Sequence, residues 1–486
     1  MPAYQDLSKD ELIGRLLSLE HELAQLKRLV FGSKSERFVP IHSPEQLAID
    51  LEGIETKSPE VETQTVTYTK QKPAELKKGS MGRMPLPAHL PRVEHIIEPE
   101  ESTEGMKKIG EEVTETLDYI PGKLQVKKYI RPKYAKPQGE GIVIGSLPSR
   151  LIEKGIAEAS LLAFLLTGKY VDHLPLHRQI EILKRLGVTL PASTVSDWVS
   201  SSLKAITPLY DCLVEKVKTS AYLQVDETTI KVLDKDKKGT THRGYYWVYH
   251  AVKESLVFFD YRDGRSREGP TEILKNHKGY LQTDGYAGYE EFGLREGIAL
   301  LHCMAHARRY FEKALGNHKE AAEHALKEIQ KLYTIERKCR EAGITGEERK
   351  QIRQEEAVPV LKSLQVWMVE QYPKVNPTSP FGEALSYSLK RWKGLSYYTE
   401  NGDLEIDNNL IENAIRPVAV GRKNYLFAGS HEAAQRAAMM YSLFACCKKN
   451  QVNPNEWLID VLDRISDHSI NKIEELLPNN WVKSKV

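Results

Sequence analysis

From residue 220 the chain reads as three β-rich runs in succession, "AYLQVDETTIKVL", "RGYYWVYHAV" and "ESLVFFDYRD", separated by polar or glycine-containing turns. β-Branched and aromatic residues in such runs favour pleated, half-buried strands. A helix is expected near residues 268–277, and "GYLQTDGYAGY" and "GIALLHC" follow as two more short strands, each leading into a helical segment. Three consecutive strands and then alternating strands and helices fit a mixed α/β sheet covered by helices. Residues 303–400 read as mostly helical and charged, an insertion ahead of "EIDNNLIENAIRP" at 405–417. The tail closes in two helices, "EAAQRAAMMYSLFACCKKN" and "NPNEWLIDVLDRI".

The start has a different period. In "SKDELIGRLLSLEHELAQLKRLV", Ser8 and Glu11 have capping-box spacing, and Leu12, Leu16, Leu19, Leu23, Leu26 and Val30 alternate four and three apart. Residues 1–38 are therefore expected to form a leucine-rich coiled coil that self-associates or packs against another part of the chain. Residues 39–90 lose periodicity and end in "GRMPLPAHLP", a linker with a stiff proline-rich end. A small β module is expected over 91–145, with alternation in "KLQVKKYIRPKYA" after a turn at "IPGK". Over 146–218 the pattern is helical: "PLHRQIEILKRLGVTLPASTVSDWVSSSLKAI" predicts a helix from Pro175, a break at Gly187 to Pro191 and a second helix after Ser193 and Thr194. That cadence is shared by DNA-binding helix-turn-helix units and by other helical hairpins.

At 486 residues the chain exceeds a single core, so several domains are expected. The boundaries continue as an α/β domain over 219–430, with its helical insertion at about 318–400, and a helical region over 431–486. Hydrophobic content of 41%, charged content of 28% and a net charge of +2 describe a soluble globular protein whose basic surfaces are local. The five cysteines, Cys212, Cys303, Cys339, Cys446 and Cys447, are few and show no paired spacing, which points to a reducing compartment. No apolar run reaches membrane-spanning length and the start lacks a signal-peptide layout, so the expectation is a cytoplasmic protein with no membrane partner.

Three carboxylates draw attention. Asp226 lies inside an apolar strand, Asp284 sits where a later strand ends in glycine, and Glu412 belongs to a later helix. A turn or cap role explains each aspartate singly, and a helix start explains the 405–417 stretch. Taken as a set they would repel one another unless cations neutralise them, and oxygen-only ligands select Mg²⁺ or Mn²⁺. Two such ions about 3.5–4 Å apart would support an in-line displacement at phosphorus. Asp407 is then the cap or a supporting group, and Asn408 and Asn409 orient ligands or touch a phosphate, a polarity that a solvated surface explains equally well. Next to this stretch Arg416, Arg422, Lys423 and Asn424, with Tyr425 and Phe427 interleaved, suit a DNA backbone. "HCMAHARRYF" adds Cys303, His306, Arg308 and Arg309. Its Cys-x-x-His has no second half, so Cys303 and His306 read as supporting groups rather than zinc ligands.

"VDET", "TDGYAGY", "HARRYF" and "DNNLIENAIRPVAVGRKNYLFAGS", in this order, strongly resemble the insertion-sequence-66 transposases of bacteria, and "FGSKSERF", "KYVDHLPLHRQ" and "YSLFACCKKNQVNPNEWLIDVL" extend the likeness through nearly the whole chain. The resemblance implies a DDE transposase with an RNase H-like core. Such an enzyme cleaves the terminal repeats of its own mobile element and joins the freed 3′-hydroxyl to target DNA by two-metal phosphoryl transfer. It implies Asp226, Asp284 and Glu412 as the catalytic metal ligands, with Mg²⁺ or Mn²⁺ as cofactor, and beside them the basic residues Arg416, Arg422, Lys423, Asn424, Arg308 and Arg309 are expected as DNA contacts. It also implies at least a dimer, accessory proteins from the same element, and a place on the bacterial nucleoid when bound to DNA.

Two positions depart from the family pattern. Glu98, Glu101, Lys136 and Gly139 stand where the family's small zinc module has two Cys-x-x-Cys pairs, and no cysteine precedes Cys212. No zinc is expected on that ground. Asn413 stands where an arginine usually follows the catalytic glutamate. The lost cysteines favour an alternative, a catalytically silent DNA-binding descendant of a transposase. The intact carboxylates oppose it, because uncompensated carboxylates repel phosphates. A nuclease that cuts without joining fits the coiled coil and helix-turn-helix poorly.

Overall fold

The computed structural model describes residues 122–135, 142–153, 155–234 and 239–483. The coiled coil, the linker and the first part of the β module lie outside the described residues. Within that module β1 (Lys133–Ala135) pairs antiparallel with β2 (Ile142–Ile144). The alternating stretch at 123–132 is not a strand: it is exposed throughout, and Pro132 removes a donor just before β1. Alternation without a face to bury does not fix a strand.

Four helices follow, α1 (Ala159–Tyr170), α2 (Leu176–Arg185), α3 (Ala192–Ala205) and α4 (Thr207–Lys218). Pro175 precedes α2 as expected, and Gly187 makes the break in the left-handed region at φ 89°. Helix α3 starts directly after Pro191, so Ser193 and Thr194 fall inside its first turn. Its inward residues are Val195, Trp198, Val199 and Leu203, and its outward face carries Ser196, Asp197, Ser201 and Lys204. Buried Gln179 ties α2 to its surroundings through Nε2, which donates to the carbonyls of Leu165 at 3.1 Å and Leu174 at 3.0 Å.

The sheet has five strands, β3 (Tyr222–Leu233), β4 (Thr241–Ala251), β5 (Leu256–Arg262), β6 (Gly279–Thr283) and β7 (Ile298–His302), in the order β5-β4-β3-β6-β7. Strands β3, β4 and β5 are antiparallel neighbours, while β6 and β7 join parallel to β3. The helix between β5 and β6, α5 (Glu268–Ile273), is shorter than expected, because the chain turns back at His277, whose N–H donates to the Leu274 carbonyl. Short α6 (Ala287–Glu290) follows β6, and α7 (Met304–Ala314) follows β7.

Strand β3 has 12 residues and β6 only 5, so β6 covers only the beginning of the β3 edge. Their pairing runs from Tyr222↔Tyr280 to Gln224↔Gln282. Farther along, Ala428 takes that edge, donating to the Lys231 carbonyl and accepting from the Leu233 N–H. Between these two partners the β3 edge has no strand neighbour, and Arg422 donates to the Thr229 carbonyl there.

The insertion is helical, with α8 (Lys319–Glu341), α9 (Gly346–Ile352), a π turn over Arg353–Ala357, α10 (Val358–Gln371), α11 (Pro380–Lys390) and α12 (Trp392–Ser396). Helices α13 (Asn409–Asn424), α14 (His431–Lys449) and α15 (Pro454–Arg464) complete the order. Two hydrophobic cores form. One joins Leu165, Trp198, Leu213, Phe259, Phe444 and Trp457, and the other joins Leu301, Phe311, Ile329, Leu361, Phe381 and Trp392. The sheet is thus a mixed α/β core with its apolar side chains buried under helices, and residues 121–486 form one unit. Among the described residues no helix is long and apolar enough to cross a membrane.

Candidate active site

The β3–β6 register sets the first two carboxylates side by side. Extending it two residues past Gln224↔Gln282 carries Asp226 to the level of Asp284, where the β3 edge loses its strand partner. The Glu227 N–H donates to Asp226 Oδ1 at 2.7 Å, and the Tyr286 N–H donates to Asp284 Oδ1 at 2.8 Å. Asp284 is held from the insertion as well: Tyr387 Oη donates to its carbonyl at 2.7 Å, and Arg391 Nη2 donates to the Gly285 carbonyl at 3.0 Å. Gly285 has φ 90°, a conformation that suits glycine at this release from the strand.

Glu412 arrives from α13, whose start is fastened to the sheet. Gln224 Nε2 donates to the Asp407 carbonyl at 3.0 Å, and Gln282 Nε2 donates to the Glu405 carbonyl at 2.8 Å. The Asn408 N–H donates to Cys303 Sγ at 3.2 Å. Asp407 accepts the Asn409 N–H at 2.9 Å, the Asn409 side-chain amide at 2.7 Å and the Tyr333 hydroxyl at 2.9 Å. Asp407, Cys303 and Asn409 therefore build the turn that aims α13.

Burial is the first cause that pushes the Asp226 carboxyl well above its ordinary range, and the charges of Asp284, Glu227 and Glu412 push it the same way. The Glu412 carboxyl is also raised by burial, against the pull of Arg309. Arg309 Nη2 lies 3.8 Å from Glu412 Oε1, and Arg309 Nη1 lies 3.3 Å from His306 Nε2. Burial, and then Arg309, lower the His306 pKa.

The other basic residues divide. Arg308 pairs with Glu312 at 2.7 Å on its own helix. Arg416 is half-buried, and its charge opposes the rise at Glu412. Arg422 is engaged with β3, donating to the carbonyl and to Oγ1 of Thr229. Lys423 and Asn424 are exposed, whereas Tyr425 turns inward to a 2.8 Å hydrogen bond with Tyr441.

Sequence reasoning missed Glu227, a fourth carboxylate of the site. It is bonded to Arg265, with Nε donating at 3.0 Å, and burial raises its pKa. The Arg265 guanidinium lies 4.0 Å over the Tyr286 ring. Reasoning also missed Gln224 and Gln282, although "LQVD" and "LQTD" repeat Leu-Gln-x-Asp and could have revealed them.

An oxygen-only donor set with unscreened mutual repulsion fits a hard divalent cation. Among the described residues no three His, Cys, Asp or Glu side chains meet closely enough to hold one ion as they stand. Glu412, drawn toward Arg309, is the carboxylate with a contact to give up.

Comparison with known proteins adds the family. Residues 101–135 match the zinc-finger binding domain of transposase IS66. This corrects the expectation of no zinc: the cysteine count on which it rested speaks only to thiolates, and the rest of the segment carries the module's identity. Residues 101–135 contain neither Cys nor His, so the matched segment does not itself supply a thiolate or imidazole site. Residues 18–94 match "Transposase C of IS166 homeodomain", and 442–479 match the IS66 C-terminal element. The chain is 32% identical to an uncharacterized protein, y4jD, of Sinorhizobium fredii (strain NBRC 101917 / NGR234), over 98% of this chain and 97% of that one. It is 33% identical to y4qI of the same organism, over 98% and 90%. Residues 154–436, covering the sheet, the insertion and α13, match the model described as "Transposase IS66 family". The chain belongs to the IS66 family of transposases.

Proposed function

We propose that this transposase is a metal-dependent enzyme that cleaves the ends of its own mobile element and joins the freed 3′-hydroxyl to a target phosphodiester. Asp226, Asp284 and Glu412 are its metal ligands. The observation that carries this reading is the β3–β6 register, which brings Asp226 level with Asp284 where the β3 edge loses its strand partner and α13 presents Glu412. The strand order β5-β4-β3-β6-β7, with three antiparallel strands and two parallel additions, supports an RNase H-like core.

When bound, two Mg²⁺ or Mn²⁺ ions would activate the attacking oxygen and offset charge on the leaving oxygen. The chain's own residues orient the reactants. Gln224 and Gln282 fix the turn before α13, Tyr387 and Arg391 fix the backbone at Asp284, and Arg265 restrains Glu227. His306, beside Arg309, offers a ring N–H to a phosphate oxygen. Arg308, Arg309, Arg416, Lys423 and Asn424 face the DNA, and Arg422 holds the segment that carries Lys423 and Asn424.

The domain reading stands as part of the same proposal. Helix α2 exposes His177, Arg178, Lys184 and Arg185, a basic face suited to DNA at 146–218. The leucine-rich start supplies self-association, so that one assembly holds two element ends.

The test uses purified protein with labelled duplex from the flanks of its own gene, in Mg²⁺, in Mn²⁺ and in chelator, wild type beside Glu412→Gln. Metal-dependent nicking at a fixed end, with joined products and none from the variant, is expected. Binding without cleavage in any metal, including after neighbouring gene products are added, would leave the DNA-binding descendant as the correct reading.

A further inference from the structure

The β3–β4 hairpin carries charge that the carboxylate site does not use. Lys231 and Arg243 stand directly opposite as Cα partners, and both are exposed. Neither makes an ion pair among the described residues. Like charges directly opposite weaken an antiparallel pair. An anion lying against both would relieve the repulsion.

The pair continues a row. Residues two apart on a strand share a face, so Glu227, Thr229 and Lys231 line one side of β3. Arg265 is bonded to the first and Arg422 to the second. By the same alternation Asp226 lies on the other face, and Arg265 and Arg422 are already engaged on this one, so Lys231 and Arg243 are the cations this face offers a ligand, about 13 Å by strand rise from Glu227.

Beside the end of this row stands an apolar tip. Leu426 is 69% exposed and Phe427 43% exposed. Both flanking residues are anchored: Tyr425 Oη donates to the Lys169 carbonyl at 3.1 Å and shares a hydrogen bond with Tyr441, while Ala428 is bonded to Lys231 and Leu233. Leu426 and Phe427 are thus held outward by fixed neighbours, next to exposed Lys423 and Asn424.

We propose that this surface grips the duplex flanking the reacting phosphodiester. Lys231 and Arg243 take phosphates, and Leu426 and Phe427 press as a wedge against a base step and kink the duplex there. The inference rests on the transposase reading, because it is DNA at the carboxylates that continues outward along β3. Paired like cations beside a fixed apolar tip match phosphate and base step together.

Phosphate contact is sequence-independent, so the probe is a fluorescent duplex of random sequence, titrated with the full chain across a series of salt concentrations. Lys231→Ala with Arg243→Ala lowers the slope of log affinity against log salt by about two, and each single Gln substitution lowers it by about one. The double variant melts no lower than wild type, since an exposed repulsion is removed. Leu426→Ala with Phe427→Ala keeps the slope but abolishes the kink read by energy transfer between dyes on the duplex ends. Unchanged slopes in the single and double variants, with wild-type binding and end cleavage intact, overturn this surface and leave the transposase reading standing. A wild type that neither binds duplex nor cleaves in any metal overturns both.

Discussion

Gln224 and Gln282 are Cα partners in the parallel pair of β3 and β6, with Gln224 Nε2 donating to Gln282 Oε1 at 3.0 Å, and each precedes an active-site aspartate by two residues. The same amides hold the carbonyls of Asp407 and Glu405, so one buried polar pair sets both the spacing of the aspartates and the start of the Glu412 helix. Gln224→Met takes the amide donor from the buried Asp407 carbonyl, at about 2 kcal/mol, while Gln282 Oε1 keeps the Tyr222 hydroxyl. It also loosens α13 against the sheet, and a small misplacement of a reacting group can cost on the order of 100-fold in rate. Denaturant unfolding and end cleavage measured together should show both losses while DNA affinity holds. Cleavage that follows stability alone would deny the pair its positioning role.

How far the sequence reaches is visible in these same residues. Asp226 and Asp284 were legible because β-rich runs announce strands and a glycine marks a strand end. Their neighbourhood required the register, which local pattern does not encode. Nor does it encode that Arg422 would spend its guanidinium on Thr229, or that residues 123–132 would alternate without pairing. Pro191 overrode Ser193 and Thr194 as the start of α3, because a proline fixes the entry to a helix more firmly than a hydroxyl caps it. The zinc-finger module was judged on its missing thiolates alone, whereas its identity is spread over the whole segment.

The carboxylate site should make stability depend on pH in a defined direction. A carboxyl raised in the folded state favours folding while protonated, and that advantage is lost as pH rises through its folded pKa. Asp226 is raised well above its ordinary range. In chelator, Asp226→Asn should therefore melt above wild type at neutral pH, with the difference closing below the ordinary carboxylate range. Mn²⁺ should raise the wild-type melting temperature and leave the variant nearly unmoved. A variant less stable than wild type at neutral pH would contradict this charge balance.

On the proposed reading, Arg309 would compete with metal for Glu412. Their 3.8 Å contact is about one-third exposed on both sides, so it is worth no more than about 1 kcal/mol. Arg309→Gln should lower the Mn²⁺ concentration that gives half the thermal shift by about threefold, within that limit. The same variant should cleave less, since the proposed phosphate contact would be lost. A higher metal requirement would show that Arg309 supports the ligand instead of holding it away.

Arg422 and Lys423 are adjacent in sequence yet should separate in experiment. Arg422→Ala removes charged hydrogen bonds to Thr229, at about 1.5–3 kcal/mol, and leaves the salt dependence of DNA binding unchanged. Lys423→Ala lowers the salt slope by about one without a change in unfolding. A fall in slope from Arg422→Ala at wild-type stability would move that arginine to the DNA.

The insertion reaches the active site through a buried ionic knot. Glu336 of α8 accepts Arg353 Nε at 2.7 Å and also binds Arg349, and Arg349 continues to Glu405 at 3.1 Å. Arg353 further donates to the carbonyls of Tyr398, Asn401 and Leu404, so the turn that leads into α13 is strapped to the insertion. The arginines hold the Glu336 carboxyl below its ordinary range despite its burial. Its contribution is present above the unfolded pKa and is lost as pH falls through the folded one. Glu336→Ala leaves two guanidinium groups without their shared carboxylate, and breaking such a buried set costs about 3–5 kcal/mol. Hydrogen exchange should then rise first in α8, α9 and the 400–408 turn, before the β3–β5 hairpins, and cleavage should fall although no site carboxylate has been touched. Exchange that rises evenly over the sheet would mean that the insertion is not a separate support for Glu412.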